Sequence, residues 1–571
     1  MFLSMPSIIW QIGLYRKVEG TEGVECKLCL ENGKKKTTLS TKNSATSNLI
    51  AHLKSAHKET EFYEKYCSLE NLNKKDQTGP MDKHLTINAS GGLSSMDKKI
   101  INWIASTQQS FLVINHITTH HIFNFSNTLS KLHDESYYRK HALPSAYLLV
   151  KNKIKKELED CPKLSFTTDI WSNGIESFIS LTGHGIGTGF HRKSFVLSVS
   201  QFPGSHTGER IATKLREILD DWKIPKEKCF SFIRDGASNF KKAFSDEKFN
   251  PEHFSDADCA AHLLNLVVRG ALDQNNNIKE LLSKCREIDV ITRWNGCYRM
   301  LERLSEQQSA VEEYAFRKRD SSLSLDDSWP KVQELIKILK PLDELTRLFC
   351  LPTSSIGVKY AFAKMTEPNL SKIEIGDSDV LEVRKIITNG LMEKFNAMKN
   401  YRTHMVAQYL DPRLKDKIAD FPEYFRRDVF SYLDVPDRNA TLDPVQIIEE
   451  PRPKKSRGLL DHFSQSLEGV STSESGKNGG LMHEMSCYSA VNLTDVGSDP
   501  LEFWKENSAK FPILSREAMT YLSPPATSVH SEELFSTARD TYNYRRSRLR
   551  PRKAEMLIFL NRSLPMIHYK Y

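Results

Sequence analysis

Residues 163–202 read KLSFTTDIWSNGIESFISLTGHGIGTGFHRKSFVLSVSQF, and their reading decides the fold. Three runs of strand-forming residues are joined by turn signals, so the stretch predicts three consecutive strands. Asp169 lies at the end of the first. The glycines between 183 and 189 precede a strand and not a helix, which excludes a phosphate-cradling nucleotide loop and fits a hairpin turn.

Working outward, ERIATKLREILDDWKI (209–224) is an amphipathic helix with Ile211, Leu215, Ile218, Leu219 and Trp222 on one face. KCFSFIRDGASN (228–239) is a further short apolar strand and also ends in an acid, Asp235. A meander, a crossover helix and a fourth strand place strand four beside strand one and parallel to it. Both acids then sit at the same end of adjacent strands. That is the layout of an RNase H-like core, in which carboxylates hold divalent cations for phosphoryl transfer. Clustered carboxylates repel unless a cation bridges them. In a chain with 72 acidic residues, two acids ending strands equally suit an ordinary sheet edge.

A second informative stretch lies upstream, in VECKLCLENGKKKTTLSTKNSATSNLIAHLKSAHK (24–58). Cys26-x2-Cys29 and His52-x4-His57 supply two thiolates from a turn and two imidazoles from one helix face, a donor set for tetrahedral zinc. Leu49 and Leu53 stand between the ligands as a small core that needs the metal to hold. With Trp10 upstream and Tyr15 as the nearest second aromatic, the layout resembles a BED-type zinc finger, a DNA-binding module of transposases and of host proteins derived from them. The resemblance implies a helix entering the major groove N-terminus first. Lys42, Asn43, Thr46, Ser47 and Asn48 would then reach base edges or phosphates, and Lys34, Lys35 and Lys36 the backbone.

The chain has 571 residues, too many for one core. No apolar stretch is long enough for a membrane span, and Pro6 interrupts the apolar start, which argues against a signal peptide. Ten scattered cysteines fit a reducing compartment rather than a disulfide framework. Net charge is +8 and is concentrated: residues 26–58 hold seven lysines and one acid, and RRSRLRPRK (545–553) holds six basic residues and no acid. Such patches attract phosphate backbones and serve nuclear import, or are simply solvated surface. The expected organisation is a multidomain α+β chain: a treble-like ββα finger over 1–60, a flexible linker over 61–95 and a helical region over 96–160. The RNase H-like α/β core (161–270) is followed by an all-α insertion over 271–444, a flexible segment over 445–497 and a helical C-terminal region over 498–571.

Seven motifs in order, FTTDIW (166–171), HTGERIA (206–212), RDGASN (234–239), CAAHLLNLVV (259–268), TRWNGCYRMLERL (292–304), QYLDPRLK (408–415) and PPATSVHSEELFS (524–536), resemble a hAT-family transposase, especially its BED-finger branch domesticated in animals. The resemblance implies catalytic acids at Asp169, Asp235 and Glu532 holding Mg²⁺ or Mn²⁺ if active. It also implies a DNA-contacting pair at Arg293 and Trp294, the latter otherwise a core tryptophan, and a C-x2-H motif at Cys259 and His262 that supports the site. A C-terminal dimerisation surface is expected over 498–565, with AEMLIFLNRSL (554–564) as its apolar helix. Two features depart from the family: the stretch between Asn265 and Arg293 is short, and SEELFSTAR places Glu533 and Arg539 where the family has a basic residue and a glycine. Those changes weigh against full transposition. The expected function is that of a nuclear, zinc-dependent, dimeric DNA-binding protein acting in transcription, with double-stranded DNA and itself as partners and no membrane or small-molecule cofactor. The alternatives are a DNA transposase and, by resemblance alone, a SUMO ligase, for which no RING-like Cys/His set is present.

Overall fold

The computed structural model describes residues 8–18, 23–33, 38–40, 46–58, 60–66, 93–120, 132–172, 177–245, 249, 254–288, 294–318, 324–396, 398, 401–433, 477–541 and 549–571. These fall into two compact units, Met1–Ser95 and Met96–Tyr571.

In the first unit β1 (Tyr15–Lys17), β2 (Gly23–Cys26) and β3 (Thr38–Ser40) form an antiparallel sheet in that order, and α1 (Ser47–Ala56) follows. The module thus has one strand more than the expected ββα. Leu49 and Leu53 are fully buried as expected, but the core is wider, taking in Ile9, Ile12, Leu14, Tyr15, Val24 and Tyr66. The Tyr15 hydroxyl donates to the Leu49 carbonyl at 2.7 Å, which ties the first strand to α1. Residues 61–66 are helical, with Phe62 and Tyr63 packed on this core and Tyr66 inside it. Residues 61–66 therefore belong to the finger and not to the linker expected from 61, whose remaining residues up to 92 lie outside those described: the aromatics of EFYEKY (61–66) form an apolar face that the polar neighbours hide.

The second unit is built on a five-stranded sheet, order β6-β5-β4-β7-β8. β4 (Leu164–Ser172), β5 (Ser177–Ile186) and β6 (Arg192–Gln201) are the expected antiparallel meander. The crossover helix α2 (Gly208–Trp222) buries the five predicted apolar residues, and β7 (Cys229–Arg234) returns parallel to β4. The edge strand β8 (Ser255–Asp258), parallel to β7, was not legible, because SDAD has neither β-branched nor aromatic residues. It pairs because Arg234 on β7 neutralises it: the guanidinium grips Asp256 (Nε–Oδ2 2.9 Å) and Asp258. α3 (Ala260–Gln274) then leads into the helical part, whose core includes Leu264, Leu301, Leu335, Leu342, Ile387 and Phe395.

Two C-terminal helices differ from expectation. α4 (Lys477–Ala490) lies in the segment read as flexible over 445–497. Leu481, Met485 and Tyr488 are buried at i, i+4 and i+7, a periodicity masked by two glycines and interspersed polar residues. After α5 (Val529–Thr541), α6 (Pro551–Met566) buries Met556, Leu557, Ile558, Phe559 and Leu560 within the chain, against β6 and the helix Leu143–Glu159. Phe559 meets Tyr147 at 4.8 Å between ring centres. The apolar face of AEMLIFLNRSL is thus consumed inside the chain and is not available for self-contact. Among the described residues no helix is long and apolar enough to cross a membrane.

Candidate functional site

The finger brings its four predicted ligands to one point. The Sγ atoms of Cys26 and Cys29 and the ring nitrogens of His52 and His57 all lie within 4.8 Å of one another. Cys26 Sγ is 3.3 Å from His57 Nε2, and Cys29 Sγ is 3.5 Å from His52 Nε2 and 3.3 Å from His57 Nε2. With metal–sulfur and metal–nitrogen bonds of zinc length, the sulfur–nitrogen edge of a tetrahedron is about 3.6 Å, so the set fits Zn²⁺. The sequence causes this locally. Cys26 ends β2, Cys29 sits in the helical turn Lys27–Glu31, His52 lies on the inner face of α1, and His57 follows its last turn. Burial pushes the Cys26 thiol up, and a coordinated dication favours the thiolate instead. Of the predicted DNA-facing residues, Asn48 is exposed on the first turn of α1 and Thr46 is its half-buried N-cap. Ser47 begins that helix, while Lys34, Lys35, Lys36, Lys42 and Asn43 lie outside the described residues. Arg293 also lies outside them, and Trp294 begins the helix Trp294–Glu306.

The acidic edge is assembled differently. Pairing of β4 with β7 ends at Thr167↔Ile233. Two residues further along each segment stand Asp235, just past the end of β7, and Asp169, which lies inside β4 and not at its end as expected, because β4 runs on to Ser172 against β5. Each carboxylate is held by a nearby backbone N–H, Asp169 by Ile170 at 2.8 Å and Asp235 by Ala237 at 3.0 Å. Glu532 comes from α5, which packs on β4 and β5. Its neighbour Ser531 is hydrogen-bonded to Thr167 at 2.7 Å, and Thr167 shares a sheet face with Asp169. Topology thus delivers all three acids to one edge. They are not drawn round a common point: among the described residues, the finger holds the only group of three or more such side chains close enough to share an ion.

Several residues brace this edge. Cys259, fully buried, accepts a hydrogen bond from the Ser528 N–H at 3.3 Å, just before α5; burial pushes its thiol up. A side chain at Gly236, in the turn after Asp235, would touch His262 at 3.7 Å and Asp258 at 3.8 Å. The C-x2-H motif therefore links the Asp235 turn to the start of the Glu532 helix. Lys359, wholly buried, donates to the Asp258 carbonyl at 2.7 Å, and burial lowers it to about 8. Neither Asp258 nor Lys359 was singled out by the sequence; adjacency to Cys259 was the one usable signal for the former. Of the two family departures, Glu533 is ion-paired with Arg562 on α6, and Arg539 lies on α5. His184 is buried under α5, 4.8 Å from the His530 ring, with Thr182 at 2.7 Å and Ser194 at 3.0 Å; burial holds it neutral, well below its usual range.

Fold and sites define a chain with a Cys2His2 finger and a mostly helical α/β body with two acids just beyond the β4–β7 pairing. Residues 167–250 match the family described as the ZBED1 RNase-like domain, and residues 484–564 match the hAT family C-terminal dimerisation region. The chain is 23% identical over 615 residues to zinc finger BED domain-containing protein 4 of Homo sapiens, covering 96% of this chain and 51% of that protein. It is 24% identical over 480 residues to the putative AC transposase of Zea mays, covering 72% of this chain and 58% of that one. It is 22% identical over 482 residues to the putative transcriptional regulator tpeD of Talaromyces stipitatus, covering 71% and 54%. The chain spans about half the length of the curated relatives it matches. The chain is thus similar to BED zinc finger and hAT transposase-like proteins.

Proposed function

We propose that this is a nuclear, zinc-dependent DNA-binding protein, descended from a hAT transposase, that self-associates through its C-terminal region and regulates transcription. The observation that carries this reading is the finger: four donor atoms within 4.8 Å at the base of an exposed helix, in a stretch with seven lysines and one acid. Cys26, Cys29, His52 and His57 hold zinc. The first turn of α1 reads the major groove through Thr46, Ser47 and Asn48, and Lys42 and Asn43 add further contacts to bases or phosphates. Lys34, Lys35 and Lys36 contact phosphates. The match of 484–564 to a dimerisation region and the names of the relatives support self-association and a regulatory role. Two linked fingers gain affinity because the second contact is intramolecular. The test is binding to a selected duplex at fixed salt. Cys26→Ala or His52→Ala, or a chelator, removes specific binding; equal affinity with and without chelator overturns the reading.

A second reading, DNA strand cleavage, is favoured by the matched register of Asp169 and Asp235, each two residues past the last pair of the parallel β4–β7 ladder, with Glu532 on the helix that packs on β4. Those acids would hold Mg²⁺ or Mn²⁺, and Arg293 and Trp294 would contact the DNA beside them. A Mg²⁺-dependent strand-cleavage activity abolished by Asp169→Asn, with no reporter regulation, would make this reading primary.

A further inference from the structure

α4 is held in the body by one face and shows the other to solvent. Leu481, Met485 and Tyr488 fill the core, and the Glu484 carboxylate accepts the N–H groups of Ile513 (3.0 Å) and Leu514 (2.9 Å) at the start of the helix Pro512–Tyr521. The Lys415 ammonium donates to the carbonyls of Tyr488 (2.7 Å) and Val491 (2.5 Å) at the far end. Towards the outer face the exposed His483 and the half-buried Cys487, whose other side packs on the core, stand one turn apart, with His483 Nε2 3.6 Å from Cys487 Sγ. That separation is the sulfur–nitrogen edge of a zinc tetrahedron, about 3.6 Å, and is close to the edges in the finger. Two donors at i and i+4 on one helix are a recurring way to hold zinc, but they are half of a coordination shell. Among the described residues no third donor completes it.

We propose that His483 and Cys487 are half of a second zinc site, completed by the same pair from a second copy of this chain. This rests on the reading that the chain self-associates. A two-fold axis beside α4 supplies two thiolates and two imidazoles, a closed Cys2His2 shell, from one self-complementary patch. The surroundings suit such an approach. Ser486 and Ala490 on the same face are small and exposed, and the one charged side chain between 481 and 490, Glu484, is turned inward. Cys487 lies within the stretch matching the dimerisation region and His483 immediately before it. Past the end of α4, Leu493 and Val496 are exposed, whereas the apolar face of α6 is already buried. The rigid docking of α4 fixes both ligands before the partner arrives, as metal sites require.

The test uses the full chain, with zinc content and self-association measured together by metal analysis and sedimentation equilibrium. The wild-type dimer is expected to carry one zinc more than its two fingers hold. The double variant His483→Ala/Cys487→Ser loses that zinc and associates only at higher concentration, with finger zinc and thermal stability kept. Cys487→His, which keeps a donor at that position, retains both extra zinc and association, a result that a merely packing role would not give. A wild-type dimer without the extra zinc, unaffected by the double variant, overturns the bridge and leaves self-association standing. A dimer without the extra zinc that a phosphine reductant dissociates, and that Cys487→Ser does not form, is a Cys487 disulfide and also overturns the bridge. A wild-type chain that stays monomeric in excess zinc overturns both readings.

Discussion

Cys26 and His57 are 31 residues apart in the chain; Asp169 and Glu532 are 532 − 169 = 363 apart. The finger's donors are set by one turn and one helix, so their closure depends on a few dozen residues and a small core. The acids at the sheet edge depend on the wider second unit, since Glu532 reaches β4 only through the docking of α5 on the sheet, far along the chain. The chemistry differs as well. Before the metal arrives the thiols and imidazoles are neutral and converge without repulsion, the thiols giving up their protons on binding, whereas carboxylates repel until a cation arrives. A site built locally from neutral donors is gathered in the chain alone, while a long-range anionic site is gathered only if its cation still binds.

The sharpest way to break this comparison is to remove a finger ligand. Cys26→Ala or His52→Ala leaves a core too small to stand without metal, so the first unit unfolds while the second keeps its melting transition. Specific DNA affinity should fall to the non-specific level, by about 10³-fold or more at physiological salt. Calorimetry that shows the second unit melting earlier in these variants would contradict the independence of the two. The reverse experiment strikes the body. Phe232 is fully buried, its ring centre 4.7 Å from that of Phe166, at the middle of the β4–β7 pair that positions both aspartates. Phe232→Ala should cost about 3–5 kcal/mol in the second unit by denaturant unfolding and leave the zinc affinity of the finger unchanged.

What was legible in the sequence follows the same division between local and distant causes. The meander, the crossover helix, β7 and the finger's ligand spacing all declare themselves within windows of a few residues, through alternation, amphipathic spacing and C-x2-C geometry. β8 does not, because its pairing is decided by Arg234 on the neighbouring strand and not by its own Ser-Asp-Ala-Asp. α4 hides behind its glycines until the surface it fills is known. The aromatics at 62, 63 and 66 look like part of a polar linker until the finger core is assembled. Seven ordered motifs named the acids, but whether those acids converge is a property of tertiary packing that no window contains.

A smaller effect separates the units by pH. His184 and His404 are fully buried in the second unit, and burial lowers both well below the usual imidazole range; Lys359 adds to the shift at His404. In the unfolded chain both titrate near 6.5. Below that pH the unfolded state binds more protons, so this part of the stability is complete above about pH 6.5 and is lost progressively as the pH falls beneath it, at about 1.4 kcal/mol per unit for each group. Among the described residues neither ring nitrogen of His404 has a hydrogen-bond partner. His404→Leu should therefore flatten the acid slope by one group's share without lowering stability at pH 7. An unchanged slope in acid unfolding curves of that variant would refute the assignment.

The smallest expected effect bears on the acidic edge itself. Asp169→Asn keeps the oxygen that accepts the Ile170 N–H at 2.8 Å and removes one of two like charges standing at matched register. Relief of that repulsion offsets the lost charge, so stability without divalent cations should stay within about 0.5 kcal/mol of wild type. The informative arm adds millimolar Mg²⁺ or Mn²⁺. A cation held by Asp169, Asp235 and Glu532 binds only the folded state and would raise the melting temperature of the wild-type chain, by the equivalent of about 2.7 kcal/mol at one hundred times its dissociation constant. Because the three carboxylates are not gathered and Glu533 is engaged with Arg562, the expectation is no cation-dependent shift in either protein. A rise in wild type that Asp169→Asn lacks would show that a long-range anionic site can still close, and would make the edge of this sheet a metal centre.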